Sequence, residues 1–155
     1  MAIEIERKFL VRDNGWRARV ESDSRIVQGY LSSDPRLTLR ARVRDEQAFL
    51  TLKGPSRGLA RSEFEYPIPP EDAEAMLAEF ALTTLIEKRR YLVREQGWLW
   101  EVDEFAGDNR GLVLAEIELP DAAQAFPRPA WLGEEVSDDP RYFNSSLARQ
   151  PFSRW

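Results

Sequence analysis

The sequence predicts a mainly β fold of the α+β kind: an eight-stranded antiparallel β-barrel, closed or nearly closed, with helices packed outside. Alternation of polar and apolar residues with period two dominates the chain, as expected for strands. Short connections at 44–47 and 95–97 are typical of hairpins, so neighbouring strands should pair antiparallel. Helical segments are few and interrupt the strands, which favours helices outside a barrel. With 155 residues and no linker, we expect a single domain over 1–155.

The strands follow from the alternation, because each has polar residues on one face and apolar residues on the other. In chain order, the sequence predicts strands at 3–11, 25–32, 37–44, 47–54, 61–68, 84–94, 98–105 and 112–119.

Three helices are predicted between or after these strands. Asp13 is the expected N-cap of the first helix, which continues through Trp16 to Val20. The second begins after two prolines and has acidic residues in its first turn and apolar residues at helical spacing. These residues are Glu71 and Asp72 in the turn, and Ala73, Met76, Leu77 and Phe80 on the apolar face. The third is expected at 140–148, with Tyr142 and Leu147 available for packing.

Charged side chains share one face of nearly every predicted strand. In the first strand Glu4, Glu6 and Lys8 lie opposite apolar residues. The later strands repeat the pattern with Arg36, Thr38, Arg40, Arg42, Arg44, Thr51, Lys53, Arg61, Glu63, Glu65, Glu101, Asp103, Glu116 and Glu118. The sixth strand is ambiguous, since Lys88 and Arg90 alternate with other charged residues.

Two architectures fit this alternation. In the first, the apolar faces fill the barrel and the charges face water, as on ordinary surface strands. In the second, the charges line the lumen and the apolar faces pack outward beneath helices. An eight-stranded barrel leaves room inside for side chains or one small ligand. A lumen filled with ion pairs is costly to desolvate, so it would indicate a charged ligand rather than a device for stability.

Composition restricts the chemistry that the chain can perform. It has no Cys and no His, which excludes thiolate catalysis, imidazole metal ligands and serine–histidine relays. A metal site would therefore be built from carboxylates, which favour hard ions such as Mg²⁺, Mn²⁺ or Ca²⁺ over zinc.

The charge balance and hydropathy bear on partners and location. The chain has 27 acidic and 22 basic residues, for a formal charge of −5, which argues against a nucleic-acid partner. A local basic pocket remains compatible with that balance. No run of about 20 apolar residues is present to span a membrane. The charged N-terminus does not read as a signal peptide, so we expect a cytoplasmic protein.

Several motifs, in order along the chain, resemble those of the triphosphate tunnel metalloenzymes, the CYTH superfamily. Glu4-Ile5-Glu6-Arg7-Lys8 resembles the family's ExExK signature. Its companions are Gln28-Gly29-Tyr30-Leu31, Leu39-Arg40-Ala41-Arg42, Leu50-Thr51-Leu52-Lys53-Gly54, Arg61-Ser62-Glu63-Phe64-Glu65, Glu87-Lys88-Arg89-Arg90-Tyr91, Glu101-Val102-Asp103-Glu104-Phe105 and Ala115-Glu116-Ile117-Glu118-Leu119. Residues 131–136 and 141–144 resemble the C-terminal helix region of compact bacterial members, among them inorganic triphosphatases. The resemblance implies a tunnel with the charges inside.

The resemblance also implies a division of roles. Phosphate oxygens would be bound by Lys8, Arg40, Arg42, Lys53, Arg61, Lys88 and Arg90. The preferred metal ligands, for Mg²⁺ or Mn²⁺, are Glu4, Glu6, Glu116 and Glu118, because the first and last strands of a closed barrel are neighbours. Further candidates for a second ion or for orienting water are Glu63, Glu65 and Asp103. The expected catalytic residues are Lys8, Tyr30, Lys88 and Asp103.

Several of these residues could instead have a purely structural role. Glu63 and Glu65 could simply pair with arginines of the lumen, and Tyr30 could be a packing residue. Three tryptophans, Trp98, Trp100 and Trp131, are expected in outer packing rather than in a stacking platform.

The expected activity is hydrolysis of inorganic tripolyphosphate to pyrophosphate and phosphate by a monomer or homodimer. Class IV adenylate cyclase, thiamine triphosphatase and a non-catalytic polyphosphate- or nucleotide-binding module are the alternatives. No base-binding insertion is evident for a cyclase. A pure anion binder would gain little from four acids beside a polyanion unless metal offset them. A barrel for an apolar ligand would need the opposite lumen polarity.

Overall fold

The computed structural model describes residues 3–155 and shows a closed antiparallel barrel with one additional strand. The strands are β1 Ile3–Val11, β2 Val20–Tyr30, β3 Thr38–Arg44, β4 Gln47–Lys53, β5 Ala60–Ile68, β6 Ile86–Glu95, β7 Trp98–Phe105, β8 Val113–Glu118 and β9 Leu132–Glu135. The α-helices are α1 Pro70–Phe80 and α2 Asn144–Arg149. Short 3-10 helices lie at Gly15–Arg19, Gly107–Asn109, Pro140–Tyr142 and Phe152–Arg154.

Strand β1 closes the barrel. The strand order is β5-β4-β3-β2-β6-β7-β8-β1-β9, and β1 also pairs with β5. Residues 3–5 of β1 pair with 60–62 of β5, residues 6–10 pair with β8, and Phe9 and Val11 pair with β9. In this register Glu6 lies directly opposite Glu118, and Lys8 lies opposite Glu116. The predicted fold class, including the adjacency of the first and last barrel strands, is confirmed.

Two strands differ from the prediction. Strand β2 begins at Val20 rather than at residue 25, because its polar first half pairs with the long strand β6, where Asp23 lies opposite Tyr91. Backbone pairing to a neighbour thus outweighs the lack of an apolar pattern. Strand β9 was not predicted, because four residues are too few for alternation to register.

The terminal helices are shorter than expected. The predicted helix after Asp13 is a 3-10 helix, Gly15–Arg19, that ends before Val20. Its N-cap is Asn14, so the prediction of Asp13 as N-cap is wrong; Asp13 Oδ1 instead accepts a hydrogen bond from the Gly15 backbone N–H at 2.8 Å, in the turn that precedes the helix. The single helix predicted at 140–148 is divided by Phe143, whose extended backbone (φ −68°, ψ 136°) separates the 3-10 helix Pro140–Tyr142 from α2. This break allows the residues after Phe143 to turn toward the barrel interior.

Helix α1 packs on the outside of the barrel against β2, β3 and β4. Ala73 and Leu77 are buried as predicted, whereas Phe80 is 55% exposed because it lies at the helix end, so its predicted packing role is wrong. Gly29 of β2 permits the close approach, since a Cβ there would lie 2.8 Å from methyl groups of Leu77 and Leu85. No helix in residues 3–155 is both long and apolar enough to cross a membrane.

The apolar faces of the strands form two separate cores. Outside the barrel wall, Trp100 contacts Phe9 and Trp131 edge-to-face, with ring centroids 5.7 and 5.5 Å apart. Trp98 packs partly buried against this cluster, so the predicted outer packing of the tryptophans is confirmed. The second core fills one end of the barrel interior beside α2, and consists of Tyr30, Ile86, Phe105, Leu112, Leu114, Val136, Tyr142, Leu147 and Ala148. The rest of the interior is left to the charged residues.

Candidate active site

A cavity of about 520 Å³ occupies the barrel interior, and charged side chains line it. Its basic residues are Lys8, Arg40, Arg42, Arg44, Lys53, Arg61, Lys88 and Arg90. Its acidic residues are Glu4, Glu6, Glu63, Glu65, Glu101, Glu116, Glu118 and Asp138. The structure therefore selects the architecture with charges inside, and it places Lys88 and Arg90 of the ambiguous sixth strand in the lumen.

Acids and bases are segregated around the barrel. Glutamates come from the adjacent strands β7, β8, β1 and β5, whereas arginines and lysines dominate β4, β3 and β6, with β2 between the last two; Lys8 of β1 and Arg61 of β5 are the basic residues on the acidic side. In the closed order β3 lies across the lumen from β8. A ligand in the cavity would thus face a basic wall on one side and an acidic wall on the other. Such a division suits a polyanion that is accompanied by cations.

Lys53 joins the acidic wall at the seam between β1 and β5. Its Nζ lies 3.1 and 3.2 Å from the two carboxylate oxygens of Glu4 and 3.2 Å from Glu63 Oε2. Burial, opposed by Lys53, raises the pKa of Glu4 to about 7. Glu63 is the other carboxylate that contacts Lys53. Burial would raise the pKa of Glu63, but hydrogen bonds with Glu4 and Lys53 outweigh burial and lower it.

Two arginines of the lumen have incomplete hydrogen bonding. Arg40 donates to Thr51 Oγ1 at 3.3 Å and lies 3.6 Å from Glu65 Oε2. Arg61 donates to Thr38 Oγ1 at 3.2 Å. The Nε–H groups of Arg40 and Arg61 are buried and have no acceptor within residues 3–155. Buried donors of this kind are costly unless an acceptor arrives, as an anion would provide.

Asp103 lies beneath the lumen surface between two cations. Arg90 donates to both of its oxygens, at 2.8 and 2.9 Å, and Lys88 Nζ donates to Oδ2 at 2.7 Å. These cations hold the pKa of Asp103 well below its usual range against the effect of burial. Burial, together with the charges of Arg90 and Arg42, lowers the pKa of Lys88 to about 7 despite Asp103. Lys88 is thus a buried amine near its point of titration at neutral pH.

Asp103 does not occupy the position that sequence reasoning expected of a metal ligand. The side chain is 1% exposed, its oxygens are engaged by Lys88 and Arg90, and it does not line the cavity. The alternation of strand faces correctly placed Asp103 on the inner face of β7. Its side chain is short, however, and lies beneath the longer side chains of Lys88 and Arg90 on β6. The remaining predicted site residues all line the cavity.

Gln28 connects the basic wall to the C-terminal helix, and sequence reasoning assigned it no role. It is fully buried; its Oε1 accepts from Arg42 Nε at 2.7 Å. Its Nε2 donates to Tyr30 Oη at 3.1 Å and to Asn144 Oδ1 at 3.2 Å. Burial and the nearby Arg40 lower the pKa of Arg42 to about 9. Gln28 and Asn144 both lie within motifs that resemble those of the family, and this was the one sign in the sequence that they belong to the site.

Lys8 reaches from the acidic wall toward the C-terminal segment. Its Nζ donates to the Tyr142 backbone carbonyl at 3.0 Å and lies 3.5 Å from Glu116 Oε1. Lys8 and Arg90 lower the pKa of Glu116 to about 2 against the effect of burial. Glu116 therefore stays ionised, whereas burial and the charges of Glu116 and Glu4 raise the pKa of Glu6 well above its usual range.

The carboxylates of β1 and β8 fit a hard divalent cation. Glu6 and Glu118 are paired directly across the two strands, and both have raised pKa values, chiefly through burial. A bound cation would relieve this concentration of like charge. No three acidic side chains within the described residues are arranged to hold an ion by themselves. Mg²⁺ commonly takes one or two carboxylates and completes its shell with water and phosphate oxygens, so the donor set suits such an ion.

Comparison with known proteins agrees with this arrangement. An inorganic triphosphatase of Acetivibrio thermocellus is 43% identical over 155 residues, which covers 100% of this chain and 99% of that protein. An inorganic triphosphatase of Nitrosomonas europaea is 42% identical over 151 residues, or 94% of this chain and 96% of that protein. The crystal structure of an inorganic triphosphatase aligns with a TM-score of 0.68 at 39% identity, covering 94% of this chain and 97% of that one.

The family model for the CYTH domain matches residues 2–149, nearly the whole chain. The resemblance drawn from the motifs is confirmed, and this chain belongs to the CYTH domain family.

Proposed function

We propose that this protein hydrolyses inorganic tripolyphosphate to pyrophosphate and phosphate inside the barrel, with Mg²⁺ or Mn²⁺ as cofactor. The observation that carries the proposal is the cavity itself, in which a basic wall faces a wall of glutamates and the Nε–H groups of Arg40 and Arg61 have no acceptor within the part of the chain that the structure describes. Relatives that align along nearly their whole length are inorganic triphosphatases, which supports the choice of substrate.

The charge balance of the cavity supports a role for metal. Its eight basic side chains are matched by eight carboxylates, so the side chains that line the cavity have no formal surplus of positive charge. Tripolyphosphate brings about four negative charges, which the protein alone would leave uncompensated. Divalent cations held by Glu4, Glu6, Glu116 and Glu118 would offset them, with Glu63 and Glu65 as further candidates. A bound ion supplies charge neutralisation on phosphate oxygens and acidification of bound water.

The basic residues would hold the phosphates and stabilise charge on the departing pyrophosphate. Arg40, Arg42 and Arg61 suit bidentate binding of phosphate oxygens, whereas Lys8, Lys53 and Arg90 add charge around the same axis. Tyr30 Oη is held by Gln28 at the edge of the basic wall and would orient the substrate.

Lys88 is the best-placed general base. With a pKa of about 7, its neutral amine would be available near neutral pH to accept a proton from the attacking water. The water oxygen would form a bond to the terminal phosphorus, the bond to the bridging oxygen would break, and pyrophosphate would leave. Asp103 would act by holding Lys88 and Arg90 in place rather than by touching substrate.

A panel of substrates tests the proposal. Phosphate release should be measured from tripolyphosphate, ATP, thiamine triphosphate and pyrophosphate, each with Mg²⁺, Mn²⁺ or EDTA. We expect metal-dependent release that is fastest from tripolyphosphate. Absence of metal-dependent release from every substrate would refute hydrolysis, and cyclic AMP formed from ATP would favour a cyclase instead. Light scattering would test the accompanying proposal of a monomer or homodimer.

A further inference from the structure

Arg42 and Arg90 both line the cavity, but different kinds of partner hold them. Arg90 donates to the carboxylates of Asp103 and Glu101, so its charge is compensated within the protein. The side chain of Arg42 makes one hydrogen bond within the part of the chain that the structure describes, from Nε to Gln28 Oε1 at 2.7 Å, and it forms no ion pair there. A neutral acceptor holds a guanidinium without neutralising it, so the charge of Arg42 stays available to an anion.

Gln28 lies behind Arg42 as seen from the cavity. The two residues are directly opposite each other in the pairing of β2 with β3, and Gln28 is fully buried and does not line the cavity. Its Nε2 donates to Tyr30 Oη at 3.1 Å and to Asn144 Oδ1 at 3.2 Å. The oxygen and both hydrogens of this buried amide are thus engaged, and residues of β2, β3 and α2 hold it in place.

The orientation of the Gln28 amide is set from both of its ends. Arg42 has only donors, so the amide oxygen must face Arg42 and the NH₂ group must face the other way. At the other end, Lys88 Nζ donates to Asn144 Oδ1 at 2.9 Å, and this oxygen also faces Gln28. The assignment of oxygen and nitrogen therefore follows from the partners rather than from a free choice between two amide positions.

We propose that Gln28 is a positioning residue for substrate binding: it holds Arg42 through Nε, so that the two terminal NH₂ groups of the guanidinium face phosphate oxygens in the cavity. The inference rests on the proposed function, in which a triphosphate occupies the cavity. A guanidinium is planar, so an acceptor fixed at Nε sets the plane in which its terminal N–H groups donate. Without Gln28, Arg42 would keep its charge but lose that plane, and its Nε–H would lack an acceptor.

A purely structural role for Gln28 makes a different prediction. Gln28 also connects β2 to α2 through Asn144, and loss of this connection would disturb the cavity whether or not Arg42 is present. Positioning acts through Arg42 alone, so it has no effect once the guanidinium is removed. A double-mutant cycle separates the two roles, because independent effects multiply in the rates and affinities whereas coupled effects do not.

The test is this cycle in the full-length protein, with tripolyphosphate as substrate and Mg²⁺ present. Gln28→Met keeps an unbranched side chain but removes the acceptor and both donors, and it is made in the wild type and in Arg42→Ala. We expect Q28M to raise KM by roughly 10-fold in the wild type, about the effect of losing a charge-assisted hydrogen bond to phosphate. In R42A the same change should alter KM by less than about twofold.

The control is Gln124→Met, in the segment after β8 and outside the cavity lining, and its KM should equal that of the wild type. If Q28M fails to fold, as judged by circular dichroism, Gln28→Asn takes its place, because its shorter side chain does not reach both Arg42 and Asn144. The expected pattern across the cycle is the same. An unchanged KM in the wild-type background, or an equal rise in KM in both backgrounds, would overturn the inference.

Failure of the proposed function would look different. If the wild type binds tripolyphosphate but releases no phosphate, hydrolysis is wrong, and the same cycle is measured as Kd for tripolyphosphate by isothermal titration calorimetry. If the wild type does not bind tripolyphosphate, the function and the inference fail together. If the wild type hydrolyses tripolyphosphate and Q28M has the same effect with and without Arg42, the inference about Gln28 alone is wrong.

Discussion

Lys88 and Asp103 form a buried ion pair, 2.7 Å from Nζ to Oδ2, in which each side chain is 1% exposed. The pair lies within one antiparallel hairpin, because β6 and β7 are joined by the tight turn at residues 96–97. Arg90, on the same face of β6 as Lys88, completes the arrangement with two bonds to the same carboxylate. One buried acid thus fixes the positions of two cations that line the cavity.

Replacing Lys88 by Gln should remove general base catalysis while preserving the hydrogen bond to Asp103. We expect kcat for tripolyphosphate to fall by about 100-fold or more. In the wild type the rate should rise as pH increases through about 7, because burial lowers the pKa of Lys88 to about that value and the neutral amine is the base. A pH–rate profile of both proteins checks this. At saturating Mg²⁺, where ionisation of Glu4 no longer limits metal binding, an acid limb near pH 7 that persists in K88Q would contradict the assignment.

Replacing Asp103 by Asn should destabilise the fold by about 3–5 kcal/mol at pH 7, because two buried cations lose their counter-ion. The folded pKa of Asp103 is depressed by Arg90 and Lys88. Its contribution is therefore present above about pH 4, the unfolded value, and decreases as pH falls toward the folded value. Urea unfolding of wild type and D103N at pH 7 and pH 3 measures it. The difference between the proteins should be larger at pH 7, with Asp45→Asn, an exposed turn residue, as control.

The alternation of residues grouped most of the site on one face of each strand because a strand has only two faces. It left open whether that face lines the lumen, and the resemblance of the motifs decided this, for Glu116 and Arg42 among others. The sixth strand could not be assigned, because Glu87 and Arg89 on its outer face carry charge as well. These two residues form ion pairs on the outside of the barrel, with Arg25 and Asp23 of β2, and the sequence pattern did not predict those pairs.

Contacts between distant segments were beyond the reach of the sequence pattern. The bonds of Asn144 to Lys88 and Gln28 span 56 and 116 residues, and they depend on a backbone break at Phe143 that helical spacing does not reveal. Strand β9 presents the same difficulty, since its pairing with β1 depends on the return of the chain to Phe9 and Val11. Asp103 shows the converse: its parity was correct, but side-chain length decided that it lies beneath the lumen surface.

Stabilisation by Mg²⁺ should increase as pH rises through about 7. Burial raises the pKa of Glu4 to about 7, so without metal its contribution favours folding at lower pH and is lost as pH rises through that value. The ionised carboxylate is also the form that binds a cation. Thermal unfolding with Mg²⁺ or EDTA at pH 6 and pH 8 should show the larger shift in Tm at pH 8. Glu4→Gln should reduce that shift, and Glu71→Gln, at the exposed start of α1, should not.

Replacing Arg42 by Ala should weaken substrate binding more than it affects metal binding. Its Nε is committed to Gln28, and it lies on the basic wall across the lumen from the glutamates of β8. A charge-assisted hydrogen bond to phosphate contributes about 1.5–3 kcal/mol, so KM for tripolyphosphate should rise by roughly 10-fold or more. The Mg²⁺ concentration for half-maximal rate should change by less than about threefold, because no carboxylate is altered. Arg94→Ala removes an exposed arginine that pairs with Glu21, and its KM should equal that of the wild type. An unchanged KM in R42A would show that phosphate does not reach this side of the lumen, whereas a larger effect on Mg²⁺ than on KM would move the metal toward β3.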